Sequence, residues 1–251
     1  MRWIATLLVV MVAHTPARAA PSRTRLMILG GGIALQVASE YAVKDELSPE
    51  RCRWCDPPDV DASLRDRLLW EDRGLARNLS DLSGYAASPV VAAGFLLVGS
   101  TDHRVMTFVD DIVPCVEAVV YTQLVTQVVK SAVGRRRPFV FDGDGSEPTS
   151  SEDNLSFFSG HSALAFSIAV SAGTVAQRRG YELAPAVWAS GLALAGATAY
   201  LRVAADRHWA SDVIAGGAVG ALGGYAIPRL TGSLPVSLVP ARGGVAVAGA
   251  F

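Results

Sequence analysis

Arg202-Val-Ala-Ala-Asp-Arg-His-Trp-Ala-Ser-Asp212 lies between two long apolar runs and gathers ionisable side chains where the flanking sequence has almost none. If one helix ends near Arg202 and the next starts near His208, then His208 and Asp212, four residues apart, share a helix face. A carboxylate beside an imidazole holds one N–H, fixes the tautomer and raises the nucleophilicity of the other nitrogen. A guanidinium close by binds an oxyanion, most naturally a phosphate, through paired hydrogen bonds. Taken alone, the stretch reads equally well as a loop with a chance ion pair, so its meaning depends on the rest of the chain.

The flanking runs belong to a chain that is 51% hydrophobic and 18% charged, with a mean hydropathy of +0.32. That balance favours membrane helices over a water-soluble globule. A formal net charge of -1 gives no electrostatic reason to expect nucleic acid as a partner. Met1 and Arg2 precede an apolar run from Trp3 to Ala13 and then Ala17-Arg18-Ala19, an A-x-A site, so residues 1–19 read as a signal peptide or leader. Residues 20–251 are expected to form a single domain with its core at about 86–230. Cys52 and Cys55 form a C-x-x-C in a polar loop with neither a thioredoxin-like context nor further zinc ligands nearby, which favours a local disulfide in an oxidising compartment. Cys115, alone in an apolar run, reads as a buried small hydrophobe.

Five strong apolar segments are Ala86 to Ser100, Phe108 to Val129, Ser162 to Gln177, Ala184 to Val203 and Val213 to Ile227. The last three have almost no charge between their ends, unlike helices that must show water a polar face. Gly216, Gly220 and Gly224 recur every four residues, which allows close approach of a neighbouring helix. Leu26 to Val43 adds a Gly-rich apolar stretch, and Lys44 to Gly84 reads as a polar surface subdomain with one or two amphipathic helices. The tail from Val236 alternates weakly and suggests a short β-hairpin. The expected fold is therefore all-α: a membrane-embedded bundle of five or six mainly apolar helices, with a small N-terminal surface subdomain and a C-terminal hairpin. The loops carrying His103-Arg104, Arg178-Arg179 and Arg229 are expected on the cytoplasmic side, which places Lys130 to Gly160 and Arg202 to Ala210 together on the outer face.

Those two outer stretches hold three clusters. Lys130-Ser-Ala-Val-Gly-Arg-Arg-Arg-Pro138 sets four cations at a helix end, an anion trap or else a lipid-headgroup patch. Phe158-Ser-Gly-His161 precedes an apolar helix, where a hydroxyl, a close-approach glycine and free N–H groups can cradle phosphate and His161 can donate a proton; a plain N-cap beside a surface histidine is the alternative. The third cluster is the opening stretch.

In this order, Lys130-x6-Arg137-Pro138, Ser159-Gly160-His161 and Arg202-x5-His208-x3-Asp212 resemble the tripartite signature of the type 2 phosphatidic acid phosphatase superfamily, which also holds bacterial acid phosphatases and vanadium haloperoxidases. Phe158 and Leu201 depart from it, standing where the pattern has Pro and usually Ser. The resemblance implies that His208 is a nucleophile oriented by Asp212, forming a phosphohistidine, and that His161 protonates the departing alcohol and later activates water. It implies that Lys130, Arg137, Ser159, Gly160 and Arg202 clamp the phosphoryl oxygens, with no metal and no cofactor. Arg135 and Arg136 would steer anions, and Arg207 has no assigned task. The acidic stretch between Phe139 and Phe157 reads as a flap over the mouth; its faint calcium-loop pattern lacks the required glycine and the closing glutamate.

The function expected is metal-independent hydrolysis of a phosphomonoester or pyrophosphate, of a lipid above all, on the periplasmic face of a bacterial inner membrane. The partners are then a phosphorylated lipid or small phosphoester and the membrane. The alternatives are a soluble periplasmic acid phosphatase, a vanadium-dependent haloperoxidase, and a non-catalytic phospholipid-binding membrane protein.

Overall fold

A computed structural model describes residues 21–100, 104–141, 150–231, 236–241 and 244–249. The expected leader at 1–19, His103, the acidic residues Asp142, Asp144 and Glu147, and the turn of the tail hairpin lie outside the described residues.

Each apolar run forms a helix, and most continue past the run into polar residues. The helices are α1 (Arg23–Tyr41), α2 (Lys44–Leu47), α3 (Asp59–Leu68), α4 (Arg73–Asp81), α5 (Ser88–Ser100), α6 (Arg104–Val133), α7 (Pro138–Phe141), α8 (Gly160–Arg179), α9 (Ala184–Ala204) and α10 (Ala210–Leu230). A π-helical turn, Leu82–Ala87, joins α4 to α5. The tail strands Val236–Ala241 and Gly244–Gly249 pair antiparallel, the hairpin that their alternation suggests.

The axis of the bundle is α8, in contact with α5, α6, α9 and α10. Its buried residues from Ser162 to Ala176 are mostly Ala, Ser, Gly and Thr, with Ile168, Val170 and Val175 among them, so neighbours can crowd it on every side. The closest is α10. A Cβ at Gly216, Gly220 or Gly224 would run into the backbone carbonyls of Ser159, Ala163 and Ser167, so this stripe sets the helix separation. Because Ser159 lies at the end of the stripe, the same packing seats the start of α8 against the start of α10.

The outer faces are apolar and bare. Val90 is 69% exposed, Val128 70%, Ile214 70% and Leu222 68%. A soluble monomer rarely leaves so continuous an apolar surface in water. Four stretches, Arg73–Ser100, Thr107–Val133, Ala184–Ala204 and Ala210–Leu230, are long and apolar enough to cross a bilayer. The protein is an all-α membrane bundle. Within it α1 lies along α6, where Leu29 packs with Val113 and Val120 and Arg25 reaches both carboxylate oxygens of Glu117 at 2.6 Å.

The polar stretch Lys44 to Gly84 covers one end of this bundle. Cys52 and Cys55 are disulfide-bonded as expected, and Cys115 is free and buried. The loop that the disulfide closes lies on the end of α6: Arg53 N–H donates to Gly134 O at 2.9 Å, Arg136 N–H to Trp54 O at 3.1 Å, and the Arg53 guanidinium caps the carbonyls of Ser131 and Ala132. A segment that looks like a detached surface element therefore holds the loop that carries the arginine run.

Candidate active site

Three helix ends meet under this cover. Gly134, with φ +59°, closes α6 by donating its N–H to Lys130 O at 3.0 Å, a left-handed cap that suits glycine. The chain then runs through Arg135, Arg136 and Arg137 to Pro138 at the first position of α7. Arg137 is 5% exposed; its Nε donates to Glu152 O at 2.8 Å and its Nη1 to Arg207 O at 3.2 Å. Among the described residues none hydrogen-bonds Lys130 Nζ, which would lie 3.4 Å from a Cβ placed on Gly160. Lys130 therefore faces the start of α8.

Ser159 caps α8, its hydroxyl oxygen accepting from Ser162 N–H at 3.4 Å and from Ser162 Oγ at 3.1 Å. The cap uses only lone pairs, so the Ser159 O–H proton stays available to an anion. The cap reading and the phosphate reading of Ser159 are compatible. One residue on, Gly160 O accepts from Gln123 Nε2 at 3.0 Å. In the first turn, His161 Nε2–H donates to Asp81 Oδ1 at 2.8 Å, and the Tyr85 ring stands edge-on to the imidazole at 4.5 Å.

Arg202 sits in the last turn of α9, 5% exposed. Its Nη1 donates to Ser80 Oγ at 3.1 Å and Asp81 Oδ1 at 3.3 Å, while its buried Nε has no partner among the described residues. Asp206 takes φ +60° in the turn that follows, held by two bonds from Arg65 at 2.6 and 2.8 Å. That turn brings His208 N–H to Arg202 O at 3.3 Å, so the cation and the imidazole are tied through backbone.

His208 is 2% exposed. Burial, and then the charges of Arg137, Arg202, Lys130 and His161, hold its pKa well below the ordinary 6.5, so the ring is neutral. Its Nδ1–H donates to the backbone carbonyl of Ser156 at 2.9 Å, leaving Nε2 with its lone pair free. The expected direct brace from Asp212 differs here. Oδ2 of Asp212 is 3.6 Å from Nδ1, too far for a hydrogen bond. The carboxylate is occupied by Arg135 Nη1 at 2.6 Å, Ser156 Oγ at 2.5 Å and Trp209 N–H at 2.9 Å. Asp212 thus connects to His208 through Ser156, and its backbone oxygen accepts from Ser159 N–H at 3.0 Å.

All eight residues singled out in the sequence meet at this one end: Lys130, Arg137, Ser159, Gly160, His161, Arg202, His208 and Asp212. Arg135 departs from the anion-steering expectation. It is 1% exposed, stacked 3.8 Å from the Trp54 ring centroid, and shared between Asp212 and Asp61, whose Oδ2 it meets at 2.7 Å. Arg207 gains a task, since its carbonyl accepts from Arg137. The described end of the acidic stretch is anchored rather than free to swing: Glu152 takes Lys44 Nζ at 2.6 Å, and Arg137 N–H donates to Asp153 O at 2.8 Å. Among the described residues no cluster of three His, Cys, Asp or Glu could hold a metal ion. Asp61, Asp81 and Ser156 went unrecognised in the sequence, and none stands at a spacing that marks it.

The arrangement is an anion cage of three cations and a helix start around a neutral imidazole. A family model described as the PAP2 superfamily matches residues 112–234, the stretch that carries all three clusters, and the chain belongs to that superfamily. The fold is similar to a crystal structure described as the first transmembrane PAP2 type phosphatidylglycerolphosphate phosphatase from Bacillus subtilis, with a TM-score of 0.51 at 14% identity over 84% of this chain and 96% of that one. A second similar structure is Aquifex aeolicus LpxE, at 20% identity and a TM-score of 0.49, covering 68% of this chain and 96% of that one. No curated protein matches the chain.

Proposed function

We propose that the protein is a metal-independent phosphatase that hydrolyses a phosphomonoester or pyrophosphate, of a lipid above all, through a phosphohistidine on His208. The observation that carries this reading is a buried, neutral imidazole with Nε2 free, facing cations whose own contacts leave donors unused. A phosphoryl group asks for dense positive charge and an in-line nucleophile more than for covalent assistance. In the first step the Nε2 lone pair of His208 forms the N–P bond while the O–P bond breaks, its electron pair leaving with the ester oxygen, which takes a proton from His161. In the second, water attacks phosphorus, gives its proton to His161, and the N–P electron pair returns to His208. Lys130, Arg137, Arg202, the Ser159 hydroxyl and the Gly160 N–H hold the three remaining oxygens throughout.

Two observations support an outward, periplasmic site. Cys52 and Cys55 are joined at the site end, as an oxidising compartment allows. Arg178 and Arg179 at the end of α8, and Arg229 at the end of α10, lie at the opposite helix termini, where positive residues mark the cytoplasm. The bare apolar faces favour a lipid substrate over the soluble alternative, since the bilayer delivers a headgroup to helix ends. The test is phosphate release by detergent-purified protein from a panel of phosphorylated lipids and water-soluble esters, with and without EDTA. Release that survives EDTA and stops with orthovanadate, a trigonal-bipyramidal mimic, is the expected result. Loss of activity on chelation would replace this reading with a metallophosphatase.

A further inference from the structure

We propose that Asp81 is a positioning residue for proton transfer at His161, holding Nε2 so that protons exchange with substrate and water through Nδ1 alone. This rests on the reading of His161 as the leaving-group acid.

The geometry is specific. Asp81 Oδ1 accepts from His161 Nε2–H at 2.8 Å and also receives Arg202 Nη1 at 3.3 Å, so one oxygen joins the proton donor to a phosphate-clamping cation. The next residues, Leu82–Ala87, form the π-helical turn, a widened stretch of a kind that collects at functional sites. That turn is pinned to α9, where Ser83 Oγ meets Thr198 Oγ1 at 2.8 Å. Within it Gly84 lies against the ring, where a Cβ would stand 3.6 Å from His161 Cδ2, and Tyr85 closes the ring's edge. Imidazole is thus bounded on its Nε2 side by carboxylate, glycine and an aromatic edge. Among the described residues nothing hydrogen-bonds Nδ1.

The chemistry of both half-reactions needs such an arrangement. In the first, a ring protonated on both nitrogens, a state that burial opposes and that Asp81 and the bound phosphate favour, gives its Nδ1–H to the departing oxygen while Nε2–H stays with Asp81, and the ring becomes neutral. In the second, the Nδ1 lone pair accepts the proton of the attacking water and the imidazolium returns, again with Nε2–H on the carboxylate. Without an acceptor on Nε2, the neutral ring can place its single proton on either nitrogen, and the tautomer that keeps Nδ1–H cannot accept the water's proton. The negative charge of Asp81 also offsets Arg202, which otherwise opposes a positive ring beside it. A side chain that served only to hold Arg202 would not need the shorter contact to the histidine.

Leaving-group dependence is the test, because a positioning role predicts it and a purely structural role does not. An alkyl phosphate expels a strongly basic alkoxide and needs the acid, whereas p-nitrophenyl phosphate expels a stable phenolate and needs it little. Asp81→Asn keeps volume and an acceptor oxygen but removes the charge and the strict preference for a donor on Nε2. It is expected to lower kcat/KM, which reports phosphohistidine formation and not its hydrolysis, on an alkyl phosphate by about 100-fold, in the range of general-acid contributions, and on p-nitrophenyl phosphate by less than about tenfold. Asp81→Glu is expected to recover part of the alkyl-phosphate rate. His161→Ala serves as the reference and should show the same selectivity, more strongly. Equal losses of Asp81→Asn on both esters, or no loss on either, overturn the role of Asp81 while the His161 reading stands. If His161→Ala itself is unselective, or the wild type hydrolyses neither ester, the underlying reading fails and the role of Asp81 falls with it.

Discussion

Asp212→Asn separates two ways in which a carboxylate can serve His208. The side chain accepts three hydrogen bonds, Oδ1 from Arg135 Nη1 at 2.6 Å and Oδ2 from Ser156 Oγ at 2.5 Å and Trp209 N–H at 2.9 Å. Asparagine fills the same volume but turns one oxygen into a donor. Placed at Oδ1, the new NH2 faces a guanidinium; placed at Oδ2, it faces the Trp209 N–H. Either way two donors oppose each other where the residue has no exposure to water. Losing a hydrogen bond to a charged group costs about 1.5–3 kcal/mol, and breaking a buried ion pair about 3–5 kcal/mol. Because Asp61 still neutralises Arg135, the lower end applies, about 3 kcal/mol. For a chain of this size that lowers Tm by about 6–12 °C. The assay is thermal unfolding in detergent, followed by kinetics well below the variant's midpoint. Tm should fall together with kcat, since Ser156 loses the partner of its hydroxyl while its carbonyl holds His208. A variant with unchanged Tm and a large drop in kcat would refute this reasoning and put Asp212 directly on the imidazole.

The disulfide loop gives a second expectation. Closing the four-residue Cys52–Cys55 loop is worth about 2 kcal/mol by chain entropy, so Cys52→Ser with Cys55→Ser should lower Tm by about 4–8 °C and raise KM, because Pro49–Trp54 supports the loop that ends in Arg137. Dithiothreitol should destabilise the wild type and leave the double variant unchanged; equal Tm in all four cases would contradict it. Acid sensitivity is a third. Above pH 6.5 His208 is neutral in both folded and unfolded chain and contributes no slope. As pH falls below 6.5 the unfolded chain binds a proton that the folded site refuses, so stability drops by at most about 1.4 kcal/mol per pH unit. His208→Gln should flatten that part of the Tm profile between pH 7.5 and 5, and parallel profiles would refute the assignment.

The bundle was legible because its helices are written in apolar runs, and only their ends were misjudged. Gly160-His161, Ala204 and Ala210 extend helices beyond the runs because capping and helix-end hydrogen bonds, not hydropathy, decide where a helix stops. The convergence of the eight candidate residues was legible because each stands at a fixed distance from a neighbour within its own cluster. Asp81 and Asp61 carry no such mark. Asp81 is 80 residues from His161 and Asp61 is 150 from Ser211, and both were placed in a polar stretch that looks like solvated surface. The acceptor that orients His208 is a backbone carbonyl, which no side-chain pattern can announce. The C-x-x-C suggested the disulfide, but its contact with Gly134 depends on how the chain returns over the helix ends.

The proposed nucleophile is tested most directly by trapping it. Wild-type protein is mixed with a 32P-labelled phosphomonoester lipid in detergent micelles, quenched in alkali within its first turnover, digested and mapped by mass spectrometry. The expected result is an alkali-stable, acid-labile phosphate on the peptide containing His208, absent from His208→Ala, which folds but does not turn over. Undiminished turnover by His208→Ala, or label carried by any other residue, would contradict it.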